Sequence, residues 1–430
     1  MDLTSAQREA IAARGNVLVN ASAGTGKTRT LVERCLARVL DPAAPVPLER
    51  MLVVTFTEAA ATELRLRLRQ GLEQVADAHP DIRWPSEQLA ALDTAAVGTL
   101  HGFCLRLVRQ HFDALGLDPQ LAVLERVQAE LLMAATLEAI FQQHYRGTTP
   151  ADAAVQELIQ TYGRGRDQPI RDWVRRLHEY TQSRPDAQAW LQRGLQLCRP
   201  SLPQQWEDWL RGGIDSWLQA GRELLRRQPT ENTTAQAFLD RLSPLATHWT
   251  RDQATAVLAD VRALDQAWPR GHKQSRRPPL ARWLEEAAFW HSLAPRSDGG
   301  DPLAEDWAWM RPHVGALLEL TREFGSSYAQ AKRDQGALDF HDLEQFALQL
   351  LSDSAADRPS SIAEEWRQHF QLLFVDEYQD INAAQDRILE LLSRAGPQAN
   401  RFLVGDVKQS IYRFRLADPR IFRRYQRAWR

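Results

Sequence analysis

Residues 21–28, Ala-Ser-Ala-Gly-Thr-Gly-Lys-Thr, combine a glycine-rich turn with a lysine and a threonine. The turn follows the apolar run NVLVNA (16–21) and precedes a stretch with helical spacing (27–40). In such a turn the backbone N–H groups can point at phosphate oxygens, and the N-terminus of the next helix adds its dipole. Lys27 is then expected to reach the β- and γ-phosphates of ATP, and the Thr28 hydroxyl to bind Mg²⁺. The alternative, a chance glycine-rich turn, is disfavoured by the flanking strand and helix.

The rest of the loop is expected to surround the phosphates with its backbone. Its first position is alanine where the motif usually has glycine, which is a tolerable variation. The loop residues that this interpretation assigns to the nucleotide are Ala21, Ser22, Ala23, Gly24, Thr25 and Gly26.

A second group of candidates lies in LLFVDEYQD (372–380), where four apolar residues lead to Asp376 and Glu377. Open α/β sheets bind ligands at the carboxyl ends of their strands, and these acids lie at such an end. Asp376 is expected to hold Mg²⁺ through water, and Glu377 to orient or deprotonate an attacking water. A solvated acidic turn is the alternative, and the presence of the phosphate loop makes it the weaker interpretation.

The elements that must position these residues follow an α/β pattern. Strands are predicted at 16–21, 51–56 and 95–100, with helices at 27–40 and 58–75, and strand character returns at 372–377 and 401–406 around a helix near 383–393. Between about 105 and 336 the pattern is helical throughout. This alternation predicts a parallel sheet whose domain is interrupted by a large helical insertion.

Composition limits the possible classes of protein. A chain of 430 residues with 44% hydrophobic and 25% charged residues is expected to form two or more soluble domains. Its net charge of −2 implies that any nucleic acid is held by a local groove and not by overall attraction. Three cysteines without CxxC spacing argue against a zinc site or a disulfide framework and favour a reducing compartment. Without a signal peptide or an apolar run of about 20 residues, the cytoplasm is the expected location.

Five blocks, taken together, carry a family resemblance. ASAGTGKT, VTFTEAAATELRLRL, VGTLHGFC, LLFVDEYQD and LVGDVKQSIYRFRLAD occur in the order found in UvrD/Rep-like superfamily 1 DNA helicases. The last block is similar to that of the AddA and RecB helicase–nuclease subunits. The resemblance covers roughly 1–115 and 337–425. It implies a RecA-like P-loop domain, 1A, from residues 1–115 and 337–430, with an inserted all-helical domain, 1B, at 116–336.

The resemblance implies further roles at the nucleotide. Gln7 in LTSAQREAI resembles the glutamine that reads the adenine edge, which suits a side-chain amide that both donates and accepts. Arg29 resembles an arginine that packs on the adenine face. Gln409 is expected to sense the γ-phosphate, and Arg415 to couple that sensing to DNA. For Gln7 and Arg415 the alternative is an ordinary surface side chain.

The same resemblance implies a path for single-stranded DNA. Phe56, Tyr412 and Phe414 match positions that stack on bases, while His101 and Thr57 are expected to contact the strand. The alternative for the phenylalanines is that they are core aromatics. Where simpler relatives often have TFTNKAA, this chain has TFTEAAA with Glu58, which removes one candidate phosphate contact. Basic runs at 164–176 and 270–282 either contact duplex DNA or form solvated faces.

The implied activity is ATP-driven unwinding with 3′→5′ translocation in double-strand-break repair. The expected partners are single-stranded and fork DNA and an AddB-like protein, with no membrane. The chain ends at Arg430, soon after the third motif. We therefore expect an N-terminal half that lacks a second motor domain and a nuclease, and that binds ATP–Mg²⁺ weakly and hydrolyses it poorly. A truncated ATP- and DNA-binding module, a stand-alone UvrD-like helicase and an ATPase acting on protein remain alternatives.

Overall fold

A computed structural model describes residues 3–22, 24–229, 232–245, 248–296, 298–353, 358–410 and 416–429. Its central feature is a parallel sheet with the strand order β1-β9-β8-β2-β3. The strands of the described residues are β1 (Val17–Asn20), β2 (Met51–Thr55), β3 (Ala96–Thr99), β4 (Ala122–Val123), β5 (Ala337–Leu338), β6 (Ser352–Asp353), β7 (Arg358–Pro359), β8 (Leu372–Val375) and β9 (Arg401–Gly405).

Helices make up most of the remaining described chain. They are α1 (Ser5–Ala12), α2 (Lys27–Val39), α3 (Glu58–Ala78), α4 (Arg83–Ala91), α5 (Leu100–Gln110), α6 (Arg126–Tyr145), α7 (Pro150–Gly163), α8 (Gln168–Gln182), α9 (Ala187–Leu197), α10 (Gln204–Arg226), α11 (Thr233–Leu242), α12 (Arg251–Gln266), α13 (His272–Arg276), α14 (Ala281–Ser292), α15 (Pro302–Asp334), α16 (Phe340–Leu351), α17 (Ser361–His369), α18 (Ala383–Leu392) and α19 (Pro419–Ala428).

The sheet is covered on both faces, which explains why its strands are continuous apolar runs. All five residues of β2 are buried. Because successive side chains of a strand point to opposite faces, Leu52 and Val54 join one core cluster while Met51 and Val53 join the other. The prediction of an α/β fold with a parallel sheet is confirmed. Its assignment to RecA-like subdomains 1A and 1B stays a prediction.

The sheet topology brings distant segments of the chain together. Val17 of β1 pairs with Phe402 of β9, and Phe402 in turn pairs with Phe374 of β8. These three strands are neighbours and parallel, so their carboxyl ends lie side by side. The loop after β1, the acids after β8 and the turn after β9 therefore leave the sheet at the same edge.

Packing divides the chain into two units. One comprises residues 1–143, 171–191 and 321–430 and contains the five-stranded sheet; the other comprises 144–170 and 192–320. The limits of the inserted domain at 116 and 336 were predicted for functional subdomains, which need not coincide with packing units, so they stay a prediction. By packing, residues up to 143 and from 321 belong with the sheet.

Tryptophans form much of the core of the helical unit. Trp217 and Trp283 stack with ring centroids 5.0 Å apart, and each indole N–H donates to the other residue's backbone carbonyl, at 3.0 and 3.2 Å. Trp307 is also buried, whereas Trp209 and Trp309 are exposed. Helix packing therefore accounts for part of this tryptophan-rich region.

Within the described part of the chain, none of the helices combines the length and the apolar character that a membrane crossing requires.

One buried histidine of the sheet-containing unit makes stability depend on pH. The ring of His178 packs against Phe324 and Tyr328, with centroids 5.0 and 6.0 Å away. Burial, then His341 and Lys332, lower the pKa of His178 from 6.5 to about 3, while Asp339 opposes the shift. The unfolded chain therefore takes up a proton that the folded chain does not, so stability is lost as pH falls below 6.5.

We predict that His178→Phe flattens this acid dependence. One unmatched proton corresponds to a slope of about 1.4 kcal/mol per pH unit between pH 6.5 and 4, which the variant should lose. Urea unfolding at several pH values measures it, with His79→Phe at an exposed position as the control. An equal slope in the His178 variant and the wild type would contradict the assignment.

Candidate functional site

The loop between β1 and α2 has the backbone of an anion-binding turn. Gly24 and Gly26 have φ values of 74° and 82°, in the left-handed region that favours glycine. Gly26 is the N-cap of α2 and makes no side-chain hydrogen bond to it, so within the described residues no N-cap side chain covers the first helical turn. Thr25 closes the loop through its hydroxyl, which donates to the Ser22 carbonyl at 2.6 Å. This arrangement suits a phosphate at the helix N-terminus.

A threonine and an aspartate meet next to this loop. The Thr28 hydroxyl donates to Oδ2 of Asp376 at 2.8 Å, although 348 positions separate them in the chain. Asp376 is 2% exposed, and burial raises its pKa; the Thr28 hydrogen bond opposes the shift and the Glu377 charge adds to it. A cation next to this carboxylate would favour its ionised form.

The chemistry of these two groups suits a magnesium ion. A hydroxyl and a carboxylate are hard oxygen donors of the kind that Mg²⁺ prefers, and the two lie side by side next to the loop. Mg²⁺ commonly takes only one or two protein carboxylates, and phosphates and water supply its other ligands. The described residues contain no group of three or more His, Cys, Asp and Glu side chains arranged to hold a metal by themselves.

The Lys27 ammonium connects the loop to both other strands. Its Nζ donates to Oε1 of Gln409 at 2.7 Å and lies 3.6 Å from Oε2 of Glu377. Lys27 is only 8% exposed, so these acceptors replace most of its hydration. The predicted Lys27, Thr28, Asp376, Glu377 and Gln409 therefore converge on one place.

Asp406 holds the turn that carries Gln409. Its Oδ1 accepts the Lys408 backbone N–H at 2.9 Å, and its Oδ2 accepts Nε2 of Gln409 at 2.7 Å. The amide nitrogen of Gln409 is thus held by Asp406, and its oxygen faces Lys27. Asp406 therefore supports this turn through both of its carboxylate oxygens.

Gln379 is a buried member of the site that sequence reasoning missed. Its Oε1 accepts the Asp406 backbone N–H at 2.9 Å, which fixes which end of the amide is oxygen. Its Nε2 donates to Oε2 of Glu377 at 2.7 Å. Gln379 is 2% exposed and joins the turn after β8 to the turn after β9. In the sequence, the signal that could have indicated this role is a polar residue two positions after Glu377.

A third acid lies close to the pair after β8. Burial, and then the neighbouring Glu377 charge, raise the pKa of Asp380 to about 6. Glu377 itself adopts φ 51°, an uncommon left-handed conformation for a residue with a side chain. The charge of the Lys27 ammonium opposes the shift at Asp380, so a third carboxyl group is felt electrostatically at this end of β8.

Gln7 lies beside the loop with its amide already oriented. Its Oε1 accepts the Thr4 backbone N–H at 2.8 Å, and its Nε2 donates to the Thr25 carbonyl at 2.9 Å. A side-chain amide has two acceptor and two donor positions, so one of each remains for a ligand. That pair matches the N6–H donor and the N7 acceptor of adenine. Arg29 is 41% exposed, and its Nε lies 3.8 Å from Glu33.

The candidate DNA residues in the described chain follow two neighbouring strands. Phe56 comes directly after β2, is partly buried and packs against one of the sheet's core clusters. Thr57 uses its hydroxyl to cap α3, accepting the Ala60 N–H at 3.2 Å. Glu58, where this chain departs from simpler relatives, accepts the Thr99 hydroxyl at 2.9 Å and so links the two strand ends.

His101 is held by a buried acid that the sequence did not indicate. Its Nε2 lies 2.8 Å from Oε1 of Glu344, and its ring meets the edge of Phe340 at 5.1 Å. Asn382 and Gln385 also donate to Glu344, at 3.0 and 2.6 Å. Burial would raise the pKa of Glu344, but His101, His341 and Asn382 together lower it below its usual value. Glu344 and Phe340 therefore fix the orientation of the His101 ring.

Four predicted site residues lie outside the described residues: Ala23, Tyr412, Phe414 and Arg415.

Comparison with known proteins gives a consistent result. The family model described as the UvrD/REP helicase N-terminal domain matches residues 3–208 and 297–429. Proteins named as the A component of an ATP-dependent helicase/nuclease are similar over almost the whole chain. The one from Pelotomaculum thermopropionicum is 36% identical over 97% of this chain and 35% of its own length. Those from Desulforudis audaxviator and Bacillus licheniformis are 35% and 33% identical, over 99% and 97% of this chain and 37% and 36% of theirs. The chain thus spans about a third of the length of these relatives.

We predict that Gln379→Met loosens the turn after β9. The substitution leaves the Asp406 N–H buried without an acceptor, which costs about 1–3 kcal/mol of unfolding free energy. The amide of Asp406 should also exchange its hydrogen faster, as hydrogen-exchange measurements at that residue would show. Gln371→Met, at an exposed position before β8, is the control. Unchanged exchange at Asp406 in the Gln379 variant would show that the link is not formed.

Proposed function

We propose that this chain, which belongs to the UvrD/REP helicase family, is the N-terminal, ATP-binding part of an AddA-like DNA helicase. The observation that supports this most directly is the meeting of Lys27 and Thr28 with Asp376, Glu377 and Gln409. These side chains come from segments up to 382 positions apart. A lysine, a hydroxyl and two acids around an open helix N-terminus suit a nucleoside triphosphate better than any ligand without phosphates.

The proposed binding step exchanges one set of partners for another. The loop amides and the N-terminus of α2 take the phosphate oxygens, and Lys27 turns from Gln409 and Glu377 to the terminal phosphates. Thr28 directly and Asp376 through water would hold Mg²⁺, which would neutralise phosphate charge when bound. Gln7 accepts from N6 and donates to N7 of adenine with the two positions that Thr4 and Thr25 leave free, and Arg29 packs on the adenine face.

In the proposed hydrolysis step Glu377 acts on water. Gln379 occupies one carboxylate oxygen of Glu377, and the other is left to accept a proton from the attacking water. Gln409 then reports the state of the terminal phosphate, because its amide oxygen loses Lys27 when the ammonium binds phosphate. The link from Asp406 through Gln379 carries that change back to Glu377. Arg415 couples it to DNA.

We propose that single-stranded DNA follows the strand ends that carry Phe56, Thr57 and His101, with Tyr412 and Phe414 adding stacking surfaces. The exposed part of Phe56 stacks on a base, and His101, oriented by Glu344, contacts the backbone. The motor then moves 3′→5′ along the strand, in double-strand-break repair in the cytoplasm. Because the name of the relatives describes one component of a larger enzyme, we also propose an AddB-like partner protein.

The proposed ATP site is tested by removing its ammonium. Lys27→Ala should abolish measurable Mg²⁺–ATP binding in calorimetry, because no other described side chain places a cation at that point of the loop. Glu377→Gln should keep the affinity, since the amide preserves the shape and the charge is not needed for binding. Lys408→Ala, in the exposed part of the turn after β9, is the control. Wild-type affinity in the Lys27 variant would overturn the proposed function.

The proposed DNA path is tested separately at Phe56. Phe56→Ala should weaken binding of an oligo(dT) probe roughly tenfold, as expected when one base loses an aromatic partner, and leave ATP affinity unchanged. Phe289→Ala, at an exposed aromatic of the helical unit, is the matched control. If the Phe56 variant loses stability and ATP affinity while DNA binding persists, Phe56 is a core residue only.

A further inference from the structure

Helix α1, which carries Gln7, has no buried residue of its own. It is only eight residues long, and isolated helices of that length are marginal in water. A capping box of Thr4 and Gln7 secures its start. Ala10 packs, partly buried, against one of the sheet's core clusters, so apolar burial holds the helix only in part.

Two arginines of α2 hold the C-terminal end of α1. Nη1 of Arg34 donates to the carbonyls of Ala10 and Ile11, at 2.5 and 3.0 Å. Nη2 of Arg38 donates to the carbonyls of Ala12 and Ala13, at 3.3 and 3.0 Å. Carbonyls at a helix end have no partner within the helix, and cations there also interact favourably with the helix dipole.

The Arg34 guanidinium that makes this contact is buried. It is 2% exposed, and its guanidinium lies 4.6 Å from the centroid of the Phe402 ring in β9. Burial, and then the nearby Arg38, lower the pKa of Arg34 to about 10, so the group remains charged at neutral pH. Burying a charge is costly, and the carbonyls of Ala10 and Ile11 compensate part of that cost at Arg34.

The same segment also holds the start of α1. Gln7 donates to the Thr25 carbonyl in the phosphate loop, and α2 follows that loop with Leu31, Cys35 and Val39 fully buried. Helix α1 is thus tied at both ends to one rigid element. Arg34 and Arg38 lie 7 and 11 residues after Lys27, or about 10 and 16 Å along the helix axis, beyond reach of the phosphates.

We propose that Arg34 and Arg38 are positioning residues that set the base selectivity of the nucleotide site by holding the helix that carries Gln7. This inference rests on the proposed ATP site. Guanine presents an oxygen where adenine presents its N6–H group, so an amide held with its oxygen toward that point favours adenine. If α1 is loosened, the Gln7 amide can rotate so that its oxygen and nitrogen exchange places, and the preference for adenine over guanine is lost.

The experiment compares three probes: ATP, GTP and inorganic tripolyphosphate, each with Mg²⁺, on Arg34→Met and Arg38→Met. Each variant should lose roughly tenfold of the ATP-over-GTP preference, the equivalent of about one hydrogen bond, while tripolyphosphate affinity stays within about twofold. Gln7→Ala should lose the same preference, and combining it with Arg38→Met should add nothing further. Hydrogen exchange in residues 5–13 should speed up in both arginine variants.

Arg67→Met is the matched control, because Arg67 is an exposed arginine on α3 whose ion pair among the described residues is with Glu63, at 2.7 Å. If Arg34→Met does not fold, Arg38→Met, which removes a less buried guanidinium, carries the test. An unchanged ATP-over-GTP preference, or a parallel loss for all three probes, would overturn the inference. Wild-type protein that binds tripolyphosphate but does not prefer ATP would also overturn it. Wild-type protein that binds none of the probes would instead reject the proposed function.

Discussion

The site depends on the pairing of β1 with β9 and of β9 with β8. This pairing places the phosphate loop on the same edge as the ends of β9 and β8, which the chain reaches only after more than 340 further residues. The Lys27 ammonium then lies between Gln409 and Glu377, and the Thr28 hydroxyl meets Asp376. Parallel strands need long crossover connections, and here one of those connections includes an entire helical unit. The sheet can accept such an insertion because its register depends on the apolar side chains of the strands and not on the length of the chain between them.

Around this edge the polar side chains form one connected series. Lys27 bonds to Gln409, Gln409 to Asp406, the Asp406 backbone to Gln379, and Gln379 to Glu377, which returns to within 3.6 Å of Lys27. Such a network is costly when partly satisfied and rigid when complete. A ligand that captures the ammonium therefore changes more than one contact. Through this network, a ligand in the phosphate loop can change the hydrogen bonds of Glu377, the acid that is proposed to act on water.

The electrostatic potential at the site is set by nearby groups and not by the net charge of the chain. The chain as a whole carries a net charge of −2, so overall charge would not attract a polyanion. The attraction comes from backbone N–H groups at an uncapped helix start and from one buried ammonium. The acids after β8 oppose it, and burial already raises the pKa of Asp376 and Asp380. A triphosphate accompanied by a divalent cation satisfies both charges at once. At α1, too, polar contacts matter, because two arginines supplement the small apolar contact of Ala10.

The sequence by itself determined the phosphate loop, the acids after β8 and the five strands of the sheet, with ends that differ by at most two residues from those observed. These features depend on neighbouring residues: glycine conformations, strand patterns and the order of motifs. The purely helical pattern between about 105 and 336 was wrong at β4, a two-residue strand that forms only by pairing with β5. The sequence did not indicate that Gln379 would bridge two turns, that Glu344 would orient His101, or that Arg34 would hold the end of α1. Each of those roles requires partners that are distant in the chain or come from another strand end. The role of a buried polar group depends on the group to which it hydrogen-bonds. Only the tertiary structure brings those partners together, because strand pairing and not sequence proximity decides which side chains share a desolvated space.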